Sequence, residues 1–332
     1  MIIARSPLRI SICGGGTDLP FYYREFGGSL VSAAIDKYIY VTVIEPFFPG
    51  VFLKYSEIEH VENFDSINHN IMRETLKYFY GENAKQPRIE ITTLADVPAG
   101  TGLGSSGSFT CCLIQALSEF TNTFLERQSL AELACKMEIE KLGCPVGKQD
   151  QYIATYGGIR SFQFNPDDSV NINSLKISKN KMHELEDNLL LFFTDKTRSA
   201  SEVLGESTSE KNGTQIYPKK AIDNLHEIKR LGDIMKHALE EGDLDSYGQL
   251  LHEHWICKRQ RSQSISTTKI DELYQLGIEN GAIGGKLVGA GGGGFLLFYA
   301  KDPKQLRKAM KNVGVEELRF NFDISGVRIV EI

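Results

Sequence analysis

Pro98-Ala99-Gly100-Thr101-Gly102-Leu103-Gly104-Ser105-Ser106-Gly107 is the stretch on which the reading of this chain turns. It lies between an apolar run, 89–94, and a segment with helical spacing, 106–120. Four glycines let the backbone turn with its N–H groups exposed. The loop delivers those groups to a helix N-terminus, where the partial positive charge of the dipole favours an anion. A phosphate is the expected guest, and the adjacent hydroxyls of Ser105 and Ser106 can hydrogen-bond it or ligate Mg²⁺. Gly102-x-Gly104-x-x-Gly107 matches a dinucleotide fingerprint, but no βαβ unit closing on an acidic residue follows it. Gly284-Gly285-Lys286 is followed by Leu287, not the Ser or Thr of a Walker loop. No His-Arg-Asp or Asp-Phe-Gly triplet marks a protein kinase. A phosphate loop of another class accounts best for the pattern.

Composition sets the bounds. A chain of 332 residues suffices for one large or two ordinary domains. The net charge of −6 argues against non-specific nucleic-acid binding, which needs a basic face. The opening Met1-Ile2-Ile3-Ala4-Arg5 has no apolar leader, and the central apolar run 189–193 is far too short for a bilayer, so no membrane partner is expected. The six cysteines show no C-x-x-C spacing; thiols in a reducing cytoplasm are expected, and zinc is not. The oligomeric state is left open.

Hydrophobic periodicity predicts strands at 2–12 (broken at Pro7), 30–35 and 38–44, the last two joined by a hairpin turn at Asp36-Lys37. A helix over 69–80 stops at Gly81, and a strand over 88–94 feeds the glycine loop. Helices over 106–120 and 130–142, the second ended by Gly143, precede a strand at 159–164. The polar stretch 165–180 predicts a boundary between a domain of residues 1–180 and one of residues 181–332. The second half reads as a buried strand at 189–193, helices at 217–241, 244–256 and 268–280, strands at 282–288 and 295–299, a helix at 304–312 and a strand at 327–331.

Three further clusters carry chemistry. Gly289-Ala290-Gly291-Gly292-Gly293-Gly294 lets a backbone pass close to something bulky, which makes Gly291 and Gly292 candidates for ligand contact. The opening segment places Arg9 in a strand and Gly15, Gly16, Thr17 and Asp18 in a glycine turn. Glu138 sits late in a helix and Asp150 follows a Gly/Pro loop, so one carboxylate could take a metal and the other a substrate hydroxyl. Taken singly, these residues read as a surface charge, a turn residue, a solvated helix face and a helix cap.

Together the clusters resemble the GHMP kinase superfamily. The loop Pro98 to Gly107 is similar to that family's ATP loop, with Gly107 where Ala is usual. Lys286 to Gly294 resembles its third motif, and Gly143-Cys144-Pro145-Val146-Gly147-Lys148-Gln149-Asp150-Gln151 a galactokinase segment. The resemblance implies an α+β protein of two domains: an N-terminal one like the second domain of ribosomal protein S5, and a ferredoxin-like C-terminal one. It implies ATP held by Pro98, Gly100, Gly102, Leu103, Gly104, Ser105, Ser106 and Gly107, and Mg²⁺ held by Ser106 and Glu138. It further implies catalysis by Asp150 with Arg9, and a sugar at Asp18. Family members carry Gly-Glu-His where this chain has Gly14-Gly15-Gly16, so a carboxylate that contacts a sugar hydroxyl is missing and a bulkier substrate than galactose is implied.

Within the superfamily, the chain most resembles bacterial D-glycero-D-manno-heptose 7-phosphate kinases. The matching segments are Arg5-x-Pro7-x-Arg9-x-Ser11, Gly14 to Pro20, Phe193-Thr194-Asp195-Lys196-Thr197-Arg198-x-Ala200, Trp255-x-x-Lys258 and Gly284-Gly285-Lys286-Leu287, with Asp195 where Gly is more frequent. The implied reaction is phosphorylation of the anomeric hydroxyl of heptose 7-phosphate. An acidic protein that takes a second phosphate beside ATP must supply local cations, and Arg198 and Lys258 are the candidates. L-fucose kinases share much of the pattern and remain the alternative. A non-catalytic sugar sensor on the same fold and a Rossmann dehydrogenase are more distant ones.

Overall fold

A computed structural model describes residues 1–81, 87–195, 197, 209–211, 214–216 and 218–331. The first strand, β1 (Ile2–Gly14), runs unbroken through Pro7. Pro20 then opens the short helix α1 (Pro20–Phe26), which buries Tyr22 and Tyr23; proline suits a first helical position because its missing N–H has no acceptor there anyway. The next strand, β2 (Gly28–Ile44), is continuous, and the hairpin expected at Asp36-Lys37 does not exist. Pro7 faces Tyr38 while Leu8 faces Ile35, so Asp36 and Lys37 are the extra residues of a bulge.

Strands β3 (Gly50–Lys54) and β4 (Ile58–Val61) precede α2 (Asn70–Tyr80). Strand β5 (Arg88–Ala95) then pairs parallel to β3, which closes a crossover through α2. After the glycine loop come α3 (Ser105–Phe120) and α4 (Arg127–Cys135), and α4 widens into a π-helical turn, Lys136–Lys141. Helix α5 (Gln149–Tyr156) leads into β6 (Ile159–Phe164) and β7 (Val170–Ser174). These strands belong to one eight-stranded sheet, in which β2 pairs with β5 through residues 39–44 and with β6 through residues 28–33.

The second half begins with α6 (Lys179–Asn188), whose first turn contains the expected domain boundary, and β8 (Leu189–Phe193). A small hairpin, β9 (Ser209–Lys211) and β10 (Thr214–Ile216), precedes the long α7 (Lys219–Glu241). Helices α8 (Leu244–Arg259) and α9 (Thr268–Glu279) follow, then β11 (Gly284–Leu287), β12 (Phe295–Tyr299), α10 (Pro303–Asn312) and β13 (Arg328–Ile329). The order β11-β12-β8 makes an antiparallel sheet. Residues 316–318 extend it beyond β8 through Phe193 N–H to Glu316 and Leu318 N–H to Leu191. This is an α+β layer of the expected kind.

Apolar packing joins the halves. Leu8, Ile10 and Ile12 of β1 share one core with Leu113 and Leu117 of α3, Met235 and Leu239 of α7, and Leu297 of β12. A second core, with Trp255 at its centre, lies between the small sheet and α8 to α10. Asp195 stands at φ +61°, a left-handed conformation that glycine adopts without strain. All six cysteines are free thiols, and Cys13, Cys111, Cys112 and Cys135 are buried. Among the described residues, no helix is long and apolar enough to cross a membrane.

Candidate functional site

Gly100, Gly102 and Gly104 have φ values of +76°, +81° and +76°, so the loop needs glycine at each. Gly104 caps α3, and the first N–H groups of that helix have no intrahelical acceptor. The loop is tied down from several sides. Thr101 Oγ1 donates to the Pro98 carbonyl at 3.1 Å, and the Arg9 N–H donates to the buried Leu103 at 3.0 Å. The Arg9 guanidinium also donates to the Gly102 carbonyl. From the other half of the chain, Gly289 lies against the loop so closely that a Cβ there would come within 2.6 Å of Gly102 Cα. That is the close backbone approach served by the second glycine cluster.

Arg9 grips Asp150 with both arms of its fork, Nε to Oδ1 at 2.7 Å and an Nη to Oδ2 at 2.9 Å. Such paired, charge-assisted bonds fix a carboxylate in orientation as well as in place. Asp150 follows the Gly/Pro loop and stands in the first turn of α5. Helix α5 touches the start of α3 with nothing between them: a Cβ on Gly107 would lie 2.7 Å from Asp150 Cβ.

Glu138 arrives on the π-helical turn, a local widening often found at functional sites. It is buried and accepts hydrogen bonds from Ser106 Oγ and, at 2.6 Å, from Gln151 Nε2. Burial raises its pKa above the usual carboxylate value, against the lowering effect of those bonds. Ser105 Oγ is buried nearby in sequence with no partner. A hydroxyl and a carboxylate meeting at a helix N-terminus are the oxygen donors a hard divalent cation takes. Among the described residues, no three His, Cys, Asp or Glu side chains gather to hold a metal by themselves. A cation at Ser106 and Glu138 would therefore need its remaining ligands from phosphate and water.

Asp18 is buried, and accepts from the Gly16 N–H at 3.0 Å and the Gln149 N–H at 3.1 Å. Burial and then the nearby Asp150 charge raise its pKa. Gly147 leaves the room for it, since a Cβ there would stand 1.9 Å from Asp18 Oδ2. Gly147→Ala is therefore expected to turn the Asp18 carboxylate out of its cradle. Loss of one charge-assisted contact predicts about a tenfold rise in KM for the acceptor, with little change for nucleotide, read by steady-state kinetics.

Arg9, Asp150 and Asp18 converge on a cavity of about 110 Å³, whose lining includes neither a residue of the glycine loop 98–107 nor Glu138. Its charged lining comprises Arg9, Asp18, Asp150, Lys258, Arg261 and Lys286, with Gly15 and Gly16 in the wall. Arg9, Asp18, Gly15, Gly16, Asp150 and Lys258 were expected from the sequence; Lys286 and Arg261 were not assigned there. Lys286 carried a signal, a lysine inside the apolar strand pattern of 282–288. Arg261, just past the end of α8, carried none.

Other expected residues stand elsewhere. Thr17 does not line the cavity. Its hydroxyl donates to the Ser29 carbonyl at 2.8 Å and accepts from the Ser29 N–H, which pins the glycine turn to β2. Gly291 and Gly292 are likewise outside the lining. The first lies against Ile265, and the second donates its N–H to the Ile265 carbonyl at 2.9 Å, so Gly289 and Ala290 face the cavity instead. Lys258 is at the cavity, but its ammonium donates to the carbonyls of Leu287 and Gly289, at 2.9 and 2.5 Å. It splints the third motif. Arg198 lies outside the described residues.

Comparison with known proteins shows the family. Residues 70–158 match the GHMP kinases N terminal domain, and residues 235–316 the GHMP kinases C terminal domain. The chain is 32% identical to a D-glycero-alpha-D-manno-heptose 7-phosphate kinase of Campylobacter jejuni, over 98% of both chains. It is 25% identical to an L-fucokinase/L-fucose-1-P guanylyltransferase of Bacteroides fragilis, across 92% of this chain and 35% of that protein. The crystal structure of a D-glycero-D-manno-heptose 1-phosphate kinase from Bacteroides thetaiotaomicron superimposes with a TM-score of 0.82 at 25% identity, covering 100% of this chain and 99% of the other.

Proposed function

The chain belongs to the GHMP kinases and is a sugar kinase, and we propose that it transfers the γ-phosphoryl group of ATP to the anomeric hydroxyl of D-glycero-D-manno-heptose 7-phosphate. The product is the 1,7-bisphosphate, a precursor suited to nucleotide activation for surface polysaccharide. The observation that carries the proposal is the Arg9–Asp150 pair, held on the cavity wall directly beside the glycine loop. The work is divided between residues 1–180, which supply the loop and Asp150, and residues 181–332, which supply Lys286 and the third motif. Its place of action is the cytoplasm.

In this reading the N–H groups of residues 104–107 and the hydroxyls of Ser105 and Ser106 cradle the ATP phosphates. Ser106 and Glu138 would hold Mg²⁺, whose chemistry when bound is to offset phosphate charge. Asp18 orients the acceptor sugar, and Asp150 accepts the proton of the attacking hydroxyl through a lone pair not used by Arg9. Arg9 fixes that carboxylate in orientation and faces the transferring group, so most of the rate gain comes from positioning and electrostatics. Lys258 braces the third motif at the cavity, and Arg198 would add a cation toward the acceptor's phosphate.

Purified protein is expected to release ADP when given heptose 7-phosphate, ATP and Mg²⁺, and to stop when EDTA is added. Faster turnover of L-fucose or another neutral sugar would overturn the heptose assignment and leave the kinase assignment standing. Turnover undiminished by EDTA would remove the metal from Ser106 and Glu138.

A further inference from the structure

We propose that Arg261 and Lys286 form the subsite for the phosphate the acceptor already carries, so that these two residues make the enzyme select a phosphorylated sugar over a neutral one. This rests on the proposed reaction and assigns the binding of the acceptor's phosphate to residues not tied to it above.

The charges lining the cavity do not cancel. Arg9 is matched by Asp150, and Lys258 is committed to two carbonyls. Asp18 is satisfied by backbone N–H groups. The ammonium of Lys286 is left with a single contact, 3.5 Å from the Gly14 carbonyl, although the residue is 1% exposed. The Arg261 guanidinium has no ion-pair partner among the described residues, and it lies over Gly16, where a Cβ would come within 2.8 Å of its Nη. The glycine turn thus makes room for a guanidinium in the cavity wall.

The surroundings show what these cations lack. Burial, with Arg9 nearby, pushes the Lys286 pKa down to about 8, and burial also lowers that of Arg261. His254, against the same Gly14 carbonyl, is held neutral by burial and by Lys286 and Lys258. A protein that buries this much like charge together needs an anion to offset it. Ser11 adds a donor: it lines the cavity, is 7% exposed, and its Oγ has no partner. A planar fork, an ammonium and a hydroxyl suit the oxygens of a phosphate monoester. A neutral sugar would leave the two cations unmatched, the Lys286 ammonium buried.

The test measures ADP release by wild type, Arg261→Gln, Arg261→Lys and Lys286→Gln with heptose 7-phosphate and with the unphosphorylated heptose. In Arg261→Gln, KM for the 7-phosphate is expected to rise roughly tenfold or more, with KM for ATP within about twofold of wild type. The preference for the phosphorylated sugar should shrink by the same factor, and Arg261→Lys should recover part of it. Arg261 follows α8 and is only half-buried, so its variant decides the matter even where Lys286→Gln fails to fold. An unchanged preference in Arg261→Gln overturns the subsite while wild-type turnover keeps the reaction standing. If wild type does not phosphorylate heptose 7-phosphate, the reaction falls first. Calorimetric binding of inorganic phosphate to the ADP-loaded protein then decides the subsite: weakening in Arg261→Gln upholds it, and equal binding overturns it.

Discussion

Asp150→Asn is expected to lower kcat by on the order of 10²-fold or more while the protein stays folded and keeps its affinity for nucleotide. The substitution conserves volume and one carbonyl oxygen but removes the charge and the basic lone pair. Three consequences follow from the geometry. The hydroxyl of the acceptor loses the group that takes its proton. Arg9, 9% exposed in its side chain, loses its counter-ion, and one of its two donors now faces an amide N–H₂ or a single shared oxygen. The transferring group meets an Arg9 whose guanidinium is held by the Gly102 carbonyl but no longer by a carboxylate. None of this disturbs the buried side of α5, where Tyr152, Ile153 and Ala154 pack. Coupled ADP release gives kcat, and calorimetry with ADP gives the nucleotide affinity. Near-normal kcat would move the proton acceptor elsewhere, with Glu138 and Glu140 next for substitution. A parallel loss of nucleotide affinity would show that the carboxylate works on the ATP side of the site.

The phosphate loop was legible because its chemistry is local. Glycines at alternate positions, two serines and a helix start are all visible in one stretch of ten residues, and the structure gives them the left-handed turns and helix cap they imply. The helices and strands with clear periodicity also stand within a few residues of their expected limits. What failed was non-local. Asp36-Lys37 reads as a turn because two charged residues interrupt an apolar strand pattern. The fold instead keeps β2 going and satisfies the polar pair from the far end of the chain: Asn321 donates its N–H and its side-chain amide to Asp36, at 2.9 and 2.8 Å. No local window contains that partner. The same holds for the site. Asp18 and Asp150 could be picked out as residues, and the resemblance couples Asp150 to Arg9, but neither the Gln149 N–H that binds Asp18 nor the two-armed grip of Arg9 on Asp150 is visible in the sequence. Residue type and helix position suggest a substrate cation at Lys258. Only the structure reveals the two carbonyls it serves, and the Arg261 side chain that lines the cavity beside it.

Gly107→Ala is expected to cost activity on the order of 10²-fold, although by local rules it should be harmless. Gly107 is inside α3, where alanine is the better helix former by about 1 kcal/mol. Related loops carry alanine at this point. In this chain the methyl group has no room. It would stand 2.7 Å from Asp150 Cβ and 3.1 Å from the Gln151 nitrogen, against an ordinary carbon–carbon contact of about 3.5–4.0 Å. Neither neighbour is the end of a flexible side chain, so relief requires a shift of α5 by roughly 1 Å. That shift acts on both functional carboxylates at once. It draws Asp150 off the Arg9 fork, whose two bonds span 2.7 and 2.9 Å. It also loosens the 2.6 Å bond from Gln151 to Glu138, opposite Ser106. Misplacement of a reacting group by about 1 Å costs on the order of 10²-fold in rate. Stability should fall far less, because the helix-propensity gain offsets part of the strain. The distinguishing measurement is therefore kcat against Tm for the same preparation: a large fall in kcat with Tm changed by a few degrees is expected. Full activity in a folded Gly107→Ala protein would mean that α5 yields without carrying Asp150 with it, and that the close contact between α3 and α5 has no part in setting the catalytic geometry.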